Sequence, residues 1–100
     1  MTHVDLAFDD LRLARAHADH SVAVRLWGEV VARKYAQRIE LIASAPAFPD
    51  LVTLAALRLH PLKGPLAGRW AMVLHGRWRL IVAIEGNSVR IMEVSNHYDD

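Results

Sequence analysis

The chain has 100 residues, 53% of them apolar, which suits one compact domain over residues 1–100 with a core that needs no crosslinks. It contains no cysteine, which excludes disulfides, thiolate metal sites and cysteine nucleophiles. A net charge of +1 is by itself too small to argue for a nucleic-acid partner.

Met1-Thr2-His3-Val4-Asp5 lacks the basic start and apolar run of a secretion signal. Runs such as Leu80 to Ile84 fall far short of the roughly 20 apolar residues a membrane helix needs. The expectation is a soluble, cytoplasmic protein with no membrane partner.

Val4, Leu6 and Phe8 alternate with Asp5 and Ala7, which predicts a first strand. Asp9 or Asp10 then suits the N-cap of an alanine-rich helix carrying Leu11, Ala14 and Ala18 on one side. A second helical stretch runs from His20 to Trp27 and breaks at Gly28. The longest predicted helix spans Glu29 to about Ala45. Its Val31, Tyr35, Ile39 and Ile42 recur at helical spacing, while Arg33, Lys34, Gln37, Arg38 and Glu40 take the other sides. Pro46 and Pro49 end it. Phe48 to Leu57 reads as a short helical turn led by Asp50. The prolines and glycines from Leu59 to Gly68 predict a shaped loop.

Three strands follow, about Arg69–Leu74, Arg77–Glu85 and Ser88–Ser95. The order predicts an α+β fold: an N-terminal strand, two to three helices, then a three-strand antiparallel meander, with the helices on one face. The first hairpin has two possible turns. Gly76-Arg77 pairs residue 75 with 78; His75-Gly76 pairs 74 with 77 and 72 with 79. The second is preferred, because it sets Ala71, Val73, Trp78, Leu80, Val82 and Ile84 against the helices with no charge among them. Trp70 and Arg79 would then share the opposite face, with Met72, Leu74, Arg77, Ile81 and Ala83.

Charge is distributed unevenly. No acidic residue lies between Asp50 and Glu85, while Arg58, Lys63, Arg69, Arg77 and Arg79 do, together with His60 and His75. Such one-sided clustering is the footprint of a polyanion site.

The stretch Leu59-His60-Pro61-Leu62-Lys63-Gly64, then Gly68-Arg69-Trp70, then Trp78-Arg79-Leu80-Ile81, resembles the HigB-like branch of the RelE/ParE toxin superfamily. The likeness is sharp from about Leu57 to Tyr98 and looser over the first half. It implies a RelE-like fold and the toxin of a type II toxin–antitoxin system, a plasmid maintenance killer protein. The activity implied is that of an mRNA interferase, an endoribonuclease that inhibits translation by cutting mRNA on the ribosome. It also implies a cognate antitoxin, HigA-like and of helix-turn-helix type.

Carried over residue by residue, the resemblance makes His60, Lys63, Arg79, His97 and Tyr98 the catalytic set. Arg69, His75 and Arg77 are the RNA-binding candidates. The tail departs from the pattern. Relatives end Asp-Tyr-His, and this chain has Asn96-His97-Tyr98, with imidazole and phenol exchanged and the carboxylate replaced by an amide. The division of acid and base among His60, His97 and Tyr98 stays open.

No cofactor is implied. A metal site made from His60, His75 and His97 is disfavoured, since no close histidine pair or nearby acid supports it. Two other functions fit the same fold: a ParE-like inhibitor of DNA gyrase that acts by binding, and an inactive remnant.

Overall fold

A computed structural model describes residues 4–66 and 68–96. Strand β1 (Asp5–Phe8) turns its Leu6 and Phe8 toward the core. The Asp10 side chain accepts a hydrogen bond from the Leu13 amide at 2.9 Å and starts α1 (Leu11–Ala18). Asp19 caps α2 (His20–Trp27) in the same way, through Ser21. Gly28, at φ 85°, supplies the corner between α2 and α3 (Glu29–Ser44), a backbone angle that favours glycine. The expected α3 stripe is buried: Val31, Tyr35, Ile39 and Ile42 all face the core.

The row of Leu11, Ala14 and Ala18 on α1 is not the side that packs. Leu13 and Ala16 are buried, whereas Leu11 is 62% exposed. With a helical step of about 100° per residue, Leu11 and Leu13 lie on opposite sides. Alanines bury too little area to choose between them. The buried phenol of Tyr35 favours the Leu13 side, donating to the Leu13 carbonyl at 2.8 Å.

After α3 the chain makes two 3₁₀ turns, Phe48–Thr53 and Ala55–Leu57, where one helical turn was expected. Inside the predicted loop lies a two-residue strand, β2 (His60–Pro61). Then come β3 (Arg69–His75), β4 (Trp78–Glu85) and β5 (Ser88–Ser95). The five strands form one sheet in the order β1-β5-β4-β3-β2, with β1 parallel to β5 and the other pairs antiparallel. The fold is α+β, with α3 packed on the sheet face that carries Met72, Leu74, Leu80 and Val82.

The hairpin register corrects the sequence reading. The turn is Gly76-Arg77, not His75-Gly76, because His75 pairs with Trp78. Gly76 sits at φ 55° and Arg77 is outside the left-handed region, so only the glycine bears the unusual angle. That is the demand of a type II′ turn, whereas the rejected turn would have forced His75 into the left-handed region as well. Val73 pairs with Arg79 and His75 with Trp78, which leaves Leu74 as a bulge.

Trp70, Met72 and Leu74 therefore face the helices, and Ala71 and Val73 face away. The helix-side core takes the three larger side chains, while Ala71 is buried on the opposite face. The β4 half of the expectation holds: Trp78, Leu80, Val82 and Ile84 pack on the helix side.

Candidate functional site

Residues paired directly across a sheet share a face, so the register defines what stands together on the side away from the helices. One row runs His60, Ala71, Ile81, Glu93. The next runs Val73, Arg79, Ser95. The row on the other side runs Arg69, Ala83, Arg90, Ala7. With strands about 4.8 Å apart and about 3.3 Å of rise per residue, the His60 and Arg79 Cα atoms are separated by roughly 12 Å. The two residues thus stand in neighbouring rows of the same face.

Two of the polar groups on this face, His60 and Arg79, are hydrogen-bonded to backbone carbonyls. His60 is half-buried, and its Nδ1 donates to the Arg58 carbonyl at 2.8 Å. Arg79 Nη1 donates to the carbonyls of Gly76 at 2.6 Å and Trp78 at 3.1 Å, which ties the guanidinium to the hairpin turn. The Leu62 amide donates to the Arg69 carbonyl at 2.8 Å and brings exposed Lys63 close to the start of β3. Arg90 is clamped by Glu85 at 2.8 and 3.0 Å, with Asp9 at 3.5 Å, and serves the sheet's edge.

The predicted set separates into groups. His60, Arg69 and Arg79 share the outward face, with Lys63 at the end of β2. His75 is paired with Trp78 on the other side of the sheet, away from Arg79, and Arg77 lies in the exposed turn. Trp70 is also on the helix side, its ring 5.5 Å from Phe48 in an edge-on contact, so it does not share a face with Arg79. His97 and Tyr98 lie outside the described residues. His60 and His75 are more than about 10 Å apart along β3 and on opposite faces, too far to share one metal ion. No cluster of three metal-ligating side chains occurs among the described residues.

Two residues of this region escaped the sequence reading. Glu93 stands in the His60 row, on a strand whose facing is reset by a second bulge between the Ile81–Glu93 and Val82–Ile91 pairs. No period-2 count sees through such a bulge.

Arg38, expected off the apolar stripe of α3, is 7% exposed. Its Nε donates to the Val73 carbonyl at 3.1 Å and its Nη1 to Gln37 Oε1 at 3.0 Å. Because β2 is so short, the edge of β3 at Val73 has no strand beside it, and Arg38 fills the place. Burial pulls its pKa below the ordinary arginine value. A signal was available, since Arg38 lies three residues after Tyr35 and four before Ile42, on the core stripe.

A cavity of about 250 Å³ lies at the side of the sheet, lined by Asp10, Arg12, Leu13, Trp27 and β5 residues from Met92 to Val94. Among the described residues no helix is long and apolar enough to cross a membrane.

No family model matches the sequence, and no curated protein does. The solved structures are more informative. A chain of the Escherichia coli DinJ–YafQ toxin–antitoxin complex superposes with a TM-score of 0.67 at 18% identity, over 95% of this chain and 93% of that one. The YoeB/ParE toxin from Agrobacterium tumefaciens gives 0.62 at 18% identity, over 95% and 100%. The YoeB dimer from Staphylococcus aureus gives 0.60 at 14% identity, over 97% and 100%. These structural neighbours are YoeB, ParE and YafQ toxins, and at such identities the likeness concerns the fold.

Proposed function

We propose that this chain is the toxin of a type II toxin–antitoxin pair, a HigB-like endoribonuclease that cuts mRNA on the ribosome. The observation that carries the reading is the polar set His60, Arg79 and Glu93 in neighbouring rows on the face away from the helices of a YoeB- and YafQ-like sheet.

RNA offers its own nucleophile. The 2′-hydroxyl attacks the adjacent phosphate, a base takes its proton, cations neutralise the phosphoryl oxygens, and an acid protonates the departing 5′-oxygen. Arg79 presents a permanently charged planar fork for phosphate, and Lys63 adds a point charge. His60 supplies an imidazole for proton transfer, and Glu93 is a second acceptor on the same row. His97 or Tyr98 supplies the other proton transfer. Arg69, Arg77 and His75 contact the RNA backbone at the margins. None of these steps requires a metal ion, and because the set is small the ribosome orients the strand.

The partner in the cell is a co-encoded HigA-like antitoxin. Some of the structural neighbours are toxin–antitoxin complexes, which supports a partner of that kind.

The test is inducible expression with mapped mRNA ends. The expected result is arrest of translation, cuts on ribosome-bound message that persist in chelator, and 2′,3′-cyclic phosphate with 5′-hydroxyl ends. Full-speed cutting of free RNA, 3′-hydroxyl ends or loss of activity in chelator would contradict it. The double variant His97→Ala with Tyr98→Phe assigns the tail: unchanged cleavage moves both proton transfers to the loop and the sheet. A second reading has one observation behind it, the likeness to a YoeB/ParE toxin. Gyrase-linked DNA damage without mRNA cuts would establish binding in place of catalysis.

A further inference from the structure

We propose that Arg58 is a positioning residue that acts on His60 through its backbone carbonyl, holding the imidazole as the Nδ1–H tautomer so that Nε2 is the proton-accepting atom. This rests on the ribonuclease reading. The backbone geometry is independent of it.

A carbonyl oxygen only accepts hydrogen bonds, so the 2.8 Å contact between His60 Nδ1 and the Arg58 oxygen requires a hydrogen on Nδ1. In the neutral ring the lone pair then belongs to Nε2. The carbonyl is aimed by an unusual backbone. Arg58 sits at φ 50° and ψ 41°, and it is the one non-glycine residue with positive φ among those described. Glycine would adopt this conformation at little cost, whereas a residue with a Cβ holds it only when its surroundings insist.

The surroundings do insist. Leu57 is fully buried on one side of the kink, and Leu59 packs against the core on the other. The Arg58 amide closes the preceding 3₁₀ turn on Ala55 at 3.1 Å.

The register explains what the kink achieves. His60 pairs with Ala71, so a straight strand would set residue 58 opposite Val73. The chain turns off before that point, and Arg38 takes the Val73 carbonyl in its place. Freed from the ladder, the Arg58 carbonyl serves the histidine instead.

During cleavage the 2′-hydroxyl proton passes to Nε2, the 2′-oxygen bonds to phosphorus, and the bond from phosphorus to the 5′-oxygen breaks. The departing oxygen takes a proton from the general acid. Nδ1–H stays on the Arg58 carbonyl throughout, and the imidazolium is formed without rotation of the ring.

The test compares Arg58→Asn with Arg58→Val. Both remove the cation. Asparagine tolerates the left-handed region and a β-branched residue resists it. Two-bond ¹H–¹⁵N spectra of the purified chain, recorded with His60 neutral, read the tautomer, and cleavage of ribosome-bound mRNA reads the rate. The expected result is Nδ1–H in the wild type and in Arg58→Asn, with loss of that preference and at least ~10-fold slower cleavage in Arg58→Val.

A wild type in the Nε2–H form overturns the proposal, and so does equal cleavage by the two variants. If the wild type cuts no RNA while showing Nδ1–H, the ribonuclease reading falls, and the proton-acceptor role of Nε2 falls with it. Should Arg58→Val fail to fold, the wild-type spectrum and a comparison of Arg58→Asn with Arg58→Ala decide the matter.

Discussion

The two faces of the sheet are written by alternate residues of the same strands, yet different forces assign them. On the inner face, volume decides. Met72, Leu74, Leu80 and Val82 meet Ile39 and Ile42 of α3, and the chain accepts a bulge at Leu74 to bring the larger side chains there. On the outer face, stability demands little of His60, Arg79 or Glu93. A fold needing only a core would tolerate many other residues in those places. Substitutions on the two faces should therefore fail in different ways.

The largest effect is expected inside. Ile39 is fully buried. Ile39→Ala should cost ~2–5 kcal/mol of stability by urea denaturation, combining lost transfer energy with a residual cavity. A loss below ~1 kcal/mol would mean that the core collapses around the gap and that volume governs less than the inner face suggests.

The Arg79→Ala variant gives the opposite signature. It gives up two hydrogen bonds to turn carbonyls, so stability should fall by only ~1–2 kcal/mol. Under the proposed function, cleavage should slow by ~10²–10³, the usual cost of removing one charge-stabilising donor. Retained cleavage would break the contrast between the faces. Lys63→Ala should weaken RNA binding more mildly and reduce its salt dependence by about one phosphate contact.

How much of this was legible in the sequence follows the same division. The α3 stripe, the break at Gly28, a cap at Asp9 or Asp10, the three late strands and the inward face of β4 were readable because period and capping chemistry are local. The β3 facing was not, since one extra residue at Leu74 reverses a period-2 count. The basic stretch contained Arg79 and His60, and the family resemblance singled them out. Glu93 joined them only through a register that no local pattern encodes, and β2 was hidden in a loop because it has only two residues.

Arg38 lies where the two faces meet and tests whether the edge of β3 needs its cap. Arg38→Met keeps the buried stem and withdraws the donor from the Val73 carbonyl. Stability should fall by ~1–3 kcal/mol, the cost of leaving a part-buried acceptor without its partner. If the kink at Arg58 depends on that cap, the His60 tautomer should become mixed in the same variant. An unchanged tautomer would show that Leu57 and Leu59 hold the kink by themselves.

The smallest effect belongs to a position remote from both faces, the α1–α2 corner, and it serves as the control. The Ser21 hydroxyl donates to the Asp19 carboxylate at 2.7 Å and the Ser21 amide at 3.0 Å, and with Arg25 nearby they hold the Asp19 pKa below its ordinary value of 3.8. In the folded chain this carboxylate therefore stays ionised to lower pH than in the unfolded chain. Its contribution is complete above the unfolded pKa and is lost as pH falls through the folded one, where the unfolded chain binds more protons. Asp19→Asn keeps an N-cap acceptor but cannot titrate. Denaturation midpoints measured from about pH 6 down to about pH 2 should fall less steeply in this variant than in the wild type. RNA cleavage at neutral pH should be unchanged, because the corner touches neither the core stripe nor the polar rows. Parallel pH curves would show that the carboxylate adds nothing to its amide substitute. Slowed cleavage would show that the helical layer reaches the outer face after all, and the separation of the two faces would have to be given up.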